Sequence, residues 1–119
     1  MRVAYAHDAV VHMERDADMS ILGAAVTVAL CGRWEHDPPC PLAPHHSRAE
    51  RFSDVVRVRI LFAAEPEWEA EVRRLITAVL SGGRLVGADG EATCWQLHSS
   101  QPGTVSPEEA DHAERLIRS

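Results

Sequence analysis

The sequence contains neither lysine nor asparagine, and aromatic residues make up only 5% of its 119 positions. All 12 basic residues are therefore arginine, a bias that a GC-rich coding sequence explains more readily than selection for phosphate contacts. The formal net charge of −6 opposes association with polyanions, because the long-range field of such a protein repels nucleic acid and anionic membrane surfaces. Neither nucleic acid nor a membrane is an expected partner.

The chain also lacks a long apolar run and a framework of paired cysteines. Its longest apolar segment, from Ile21 to Cys31, is too short to span a bilayer, and residues 1–8 contain no apolar stretch of signal-peptide length. The chain has 3 cysteines, among them Cys40 and Cys94, and they cannot all pair with one another. Such a set favours a reducing compartment. These absences predict a cytoplasmic protein.

Length and composition predict one domain. A chain of 119 residues that is 45% hydrophobic and 25% charged is typical of a globular domain with its own core. We therefore expect a single α+β domain over residues 1–119. Residues 1–20 are expected to form either a loose arm or a short edge strand, because polar residues from Glu14 to Asp18 interrupt an apolar start.

Two segments alternate in polarity with the period of a β-strand. The segment Ile21 to Trp34 places apolar residues on one face at every second position, which predicts a long strand. The segment Asp54 to Phe62 repeats the pattern, with Val58 facing the core and Arg59 facing outward. We therefore expect replacement of Val58 by a charge to be severe and replacement of Arg59 to be mild.

Two segments carry helix signals. Pro66 and the glutamates after it begin a helix that runs to Leu80 and ends at two glycines, and a capping box at Ser106 begins a second that runs to Arg118. A third strand is predicted between them, from Ala92 to His98. This order predicts an α+β two-layer sandwich, a mainly antiparallel sheet with two helices on one face, ferredoxin-like or related.

The connection between the first two predicted strands, residues 35–53, is long and rich in cysteine, histidine and proline. With the end of the preceding strand it forms the pattern C-x4-H-x3-C-x4-H-H, made by Cys31, His36, Cys40, His45 and His46. Thiolate and imidazole groups suit a tetrahedral zinc ion, and four prolines stiffen the segment. The pattern lacks the C-x2-C spacing that makes zinc-ribbon motifs specific. The first functional hypothesis is a metal-binding or metal-responsive protein that uses zinc.

Two other hypotheses stay open. In one, the chain is a non-catalytic interaction domain that contacts a protein partner or forms a homodimer through the sheet face left open by the predicted helices. Small residues would make that face smooth and arginines would rim it: Gly23, Ala25, Thr27 and Ala29, with Arg33, Arg57 and Arg59. In the other, a histidine activates Cys31 or Cys40 as a nucleophile. Because no orienting group or oxyanion site accompanies this pair, no catalytic residue is assigned.

Overall fold

A computed structural model describes residues 1–31 and 43–119 of the chain, with the backbone alone at position 31. In chain order the elements are β1 (Val3–His12), α1 (Ser20–Cys31), β2 (His45–Phe52), β3 (Val55–Ala64), α2 (Glu69–Gly82), β4 (Arg84–Val86), β5 (Ala92–Cys94), β6 (Gln96–Gly103) and α3 (Ala110–Arg118). Short 3-10 turns at Pro66–Trp68 and Pro107–Glu109 lead into α2 and α3. No helix in these two ranges is long and apolar enough to cross a membrane.

The main sheet has four strands in the order β2-β3-β1-β6, and each neighbouring pair is antiparallel. Strands β4 and β5 form a separate hairpin. The α+β class and the antiparallel sheet predicted from the sequence are confirmed. Strand β1 lies inside the sheet, whereas the sequence predicted a loose arm or a short edge strand for residues 1–20. Polar residues His7 and Asp8 interrupt its apolar pattern, and both have partners on neighbouring elements.

The predicted strand from Ile21 to Trp34 is wrong in the described part, because residues Ser20–Cys31 form helix α1. The small and β-branched residues of this segment fit either the two-residue period of a strand or the 3.6-residue period of a helix. Packing selects the helical one, which buries four residues on a single face: Leu22, Ala25, Val26 and Leu30. The Asp18 carboxylate accepts a hydrogen bond from the Ser20 N–H at 3.0 Å and so satisfies one free donor at the start of the helix.

Residues 45–52, predicted to belong to a long loop, form strand β2 instead. Its side chains alternate between half-buried and exposed, but the half-buried side consists of His45, Ser47, Ala49 and Arg51, so no apolar alternation marks the strand. A tight turn at Ser53 and Asp54 connects it to β3, and Ser53 adopts a φ of 63°. The predicted strand Asp54–Phe62 is confirmed as β3.

Helices α1 and α2 cover one face of the sheet, where the main core lies. Alternate residues of β3 point into this core, among them Val58 and Phe62, and α2 contributes Val72, Ile76 and Leu80. Both predicted helices exist, but they do not share a face. Helix α3 packs on the opposite side of the sheet, where Leu116 contacts a smaller cluster formed by Ala6, Leu61 and Ala63.

Candidate functional site

Three of the five predicted metal ligands lie within the described residues. His36 and Cys40 lie outside the described residues, Cys31 is the last residue of α1, and His45 and His46 begin β2. The described part therefore contains the two ends of the Cys/His/Pro-rich segment. The hypothesis of a cysteine nucleophile depends on the same segment and stays a prediction.

The His45 ring is held at both nitrogens. Its Nδ1 lies 3.1 Å from the Ala43 carbonyl oxygen, and its Nε2 lies 3.1 Å from the Thr27 hydroxyl on α1. Burial lowers the pKa of His45, with the hydrogen bond to Ala43 acting in the opposite direction, so the ring is neutral near pH 7. Because a carbonyl oxygen only accepts, the hydrogen of the neutral ring sits on Nδ1. Nε2 therefore carries the lone pair.

This anchoring is the one that metal-binding imidazoles use, in which one ring nitrogen donates to a backbone carbonyl and the other faces the ion. The lone pair of His45 Nε2 is only partly engaged, because the Thr27 hydroxyl also lies 3.1 Å from the Gly23 carbonyl and has one proton to donate. Thr27 precedes position 31 by four residues, about one helical turn. His45 Nε2 thus faces α1 one turn before its last residue.

His46 points to the other side of the sheet, as adjacent residues of a strand do. Its ring packs against His112 of α3, with ring centroids 4.4 Å apart. Burial lowers the pKa of His46, and the neighbouring His112 and Arg48 lower it further. One ion therefore cannot take both histidines as β2 holds them. Within residues 1–31 and 43–119, no group of three or more His, Cys, Asp or Glu side chains is placed to hold a metal.

A groove of about 440 Å³ crosses the sheet face that carries α3, beyond the end that this helix covers. Arg57 and Arg59 both line it and so share one sheet face, as the strand pattern predicted, while Arg33 lies outside the described residues. Arg57 lies over the Phe52 ring, with its guanidinium carbon 5.3 Å from the ring centroid. Charges of both signs line the groove, which also contains Asp8, Arg48 and Glu50.

Arg59 is bound on two sides. Its Nη1 donates to Asp8 at 2.8 Å, and its Nη2 donates to Glu109 at 2.8 Å. The Arg59 guanidinium lowers the pKa of Glu109 to about 2, and these hydrogen bonds, that of Glu109 foremost, raise the pKa of Arg59. Gly103 leaves room for the pair, because a Cβ at that position would collide with the Asp8 carboxylate. Arg59 is thus a structural crosslink between the sheet and the start of α3.

A buried polar network around His7 was missed by sequence reasoning. His7 is 2% exposed, and its Nδ1 lies 3.0 Å from Arg73 Nη1. Its Nε2 lies 2.8 Å from the Ser100 hydroxyl, which is 2.7 Å from that of Thr77. Because the network joins β1, α2 and β6, no local pattern in the sequence marks it.

The His7 network has the residue types of a serine–histidine pair, but its protons are placed differently. Arginine only donates, so Nδ1 accepts from Arg73 and the ring hydrogen sits on Nε2, pointing at Ser100. Burial, and then the Arg73 charge, lower the pKa of His7 to about 4. In this state the imidazole has no lone pair facing the Ser100 hydroxyl, so it does not act as its base.

Comparison of the chain with models of known protein families and with curated proteins finds no match.

Proposed function

We propose that the chain is a small cytoplasmic metal-binding or metal-responsive protein in which Cys31, His36, Cys40 and His45 hold a zinc ion. The observation that carries this proposal is the orientation of His45. Its Nδ1 donates to the Ala43 carbonyl, which leaves Nε2 directed at α1 as a neutral ligand. His46 is left out of the ligand set because its ring packs on the opposite face, against His112.

The chemistry of this donor set suits zinc. Two thiolates and two imidazoles complete a tetrahedral shell, with Zn–S near 2.3 Å and Zn–N near 2.0 Å as general values. His45 would hold the ion through Nε2, and the Thr27 hydroxyl, which lies 3.1 Å from that atom, would turn away to make room. His36 and Cys40 belong to the proposed ligand set because of their spacing in the sequence. Metal analysis of protein purified without a histidine tag tests the proposal, and stoichiometric zinc is the expected result.

The fold that best accommodates these elements is ferredoxin-like. The order β1-α1-β2-β3-α2-β6 repeats a β-α-β unit twice. The two outer strands of the sheet are β2 and β6, and the two inner ones are β3 and β1. The β4–β5 hairpin and α3 are additions to this plan.

A second candidate function is a non-catalytic interaction domain that forms a homodimer. Its specific support is the part of the sheet face beyond α3, where Phe52 is 54% exposed beside the charged groove. Large exposed aromatic side chains next to mixed charges are typical of contact surfaces. Helix α1 replaces the smooth strand on which the sequence argument for a dimer relied, and Ala25 is fully buried. Light scattering at micromolar concentration tests this candidate, and twice the chain mass is the expected result.

A further inference from the structure

Strand β2 lies at one edge of the main sheet, and within the described residues its strand neighbour is β3 alone. The two strands pair in unbroken register from His45 opposite Phe62 to Phe52 opposite Val55. The outer side of β2 is therefore a regular row of backbone donors and acceptors, a surface on which another strand can add.

The other edge strand, β6, is built differently. It contains Pro102, which has no N–H to donate, and its register with β1 shifts between Val10 and Val11. Proline and a bulge are common ways in which proteins block pairing at an edge. Strand β2 has neither feature. The two edges therefore differ in the way expected if β2, and not β6, pairs with a strand of another molecule.

The sequence of β2 is complementary to itself about Ala49. In a two-fold antiparallel pair centred on this residue, Arg48 of each copy stands opposite Glu50 of the other. Opposite charges in such cross-strand positions stabilise a pair of strands. The same register places His46 opposite Phe52. Centring the pair on Arg48 or on Glu50 would instead place like charges opposite each other, so the charges select Ala49.

The side chains that this register uses are exposed in the single chain. Arg48 and Glu50 are 61% and 55% exposed, and the nearest approach between them within the strand is 3.9 Å. Phe52 is 54% exposed and is covered only in part by Arg57. An aromatic side chain this exposed at the end of an edge strand gains apolar contact when a second strand adds.

We propose that two copies of the chain pair through β2, antiparallel and centred on Ala49, to join two four-stranded sheets into one of eight strands. This inference rests on the homodimer proposed above as the second function and names its surface. Backbone hydrogen bonds supply the contact, and the reciprocal pairs of Arg48 with Glu50 set its register.

The test is a charge exchange measured by sedimentation equilibrium on four proteins: wild type, Arg48→Glu, Glu50→Arg and the double variant. The two-fold axis repeats each like-charge contact, so either single variant should raise the dimer Kd roughly tenfold. The double variant restores opposite charges and should return Kd to near the wild-type value. Circular dichroism checks that each variant is folded.

The outcomes separate the inference from the function on which it rests. A monomeric wild type overturns both the homodimer and the β2 contact. A dimer whose Kd changes in neither single variant overturns the β2 contact and leaves the homodimer standing. Hydrogen exchange on wild type needs no variant: protection of β2 amides that increases with protein concentration supports the contact, and protection independent of concentration contradicts it.

Discussion

Asp8 and Arg59 stand directly opposite each other on β1 and β3, and Arg59 Nη1 donates to the Asp8 carboxylate at 2.8 Å. The same guanidinium binds Glu109, whose carboxylate also accepts from the Ser106 backbone N–H in a capping box. Arg59 thus ties the sheet to the last helix. The sequence predicts only that Arg59 faces outward and that its replacement has a mild effect on stability.

The effect of Arg59→Gln on stability follows from these contacts. The substitution removes both ion pairs and leaves the half-buried Glu109 carboxylate without its arginine partner. We therefore expect a loss of about 1 to 3 kcal/mol in the free energy of unfolding. The sequence predicted a mild effect. Urea denaturation measures the change, and Arg118→Gln is a matched control because its side chain is 75% exposed. Equal, small losses in both variants would show that the crosslink does not stabilise the fold.

The buried His7 should make stability depend on pH. Burial and Arg73 lower its pKa to about 4, while the Asp8 charge acts in the opposite direction, and an unfolded histidine titrates near 6.5. Between these values the unfolded chain binds the extra proton, so stability is present above about pH 6.5 and is lost as the pH falls toward 4. The loss should reach at most about 3 kcal/mol.

Comparison with His7→Gln isolates this contribution. Glutamine cannot titrate, so the variant should be less stable than wild type at pH 7 but should lose less stability on acidification to pH 4.5. Urea midpoints at several pH values provide the measurement. Parallel pH profiles for the two proteins would mean that His7 is protonated as readily in the folded state as in the unfolded one.

Val58 tests the assignment of faces on β3. Its side chain is 2% exposed within the main core, so Val58→Asp buries a charge without a partner and should cost about 4 kcal/mol or more. The neighbouring Arg57 points outward over Phe52, and Arg57→Gln should cost no more than about 1 kcal/mol. Thermal melts compare the two. Similar shifts would contradict the faces described for this strand.

The elements that sequence reasoning found are those with one dominant local pattern. Strand β3 alternates cleanly, and α2 has a proline at its start and Gly83 at its end with a φ of 70°. Segment 21–31 fits both the period of a strand and that of a helix, because Val26 and Leu30 lie on the inner face in either. Tertiary packing therefore decides which of the two forms. Strand β2 is polar on both sides, since its half-buried side includes His45, Ser47 and Arg51, and it therefore shows no apolar pattern.

The sequence proposes the residues of the candidate site but not their geometry. Sequence spacing placed His45 and His46 together as ligands, whereas the alternation of β2 turns their rings to opposite faces. That separation follows once residues 45–52 are known to be a strand, whereas the sequence predicts a loop there. The anchoring of His45 by Ala43 and Thr27 depends on the packing of α1, which no local pattern reports.

Zinc binding by His45→Ala and His46→Ala tests the central claim most directly. The two histidines are neighbours in sequence, so each variant controls for the other, and each protein is compared with wild type purified without a tag. We expect one zinc per chain in wild type and in His46→Ala, and a loss of affinity of at least about 100-fold in His45→Ala. Competition with a chromophoric chelator at pH 7 gives the affinities. Wild type without zinc, or undiminished affinity in His45→Ala, would contradict the account.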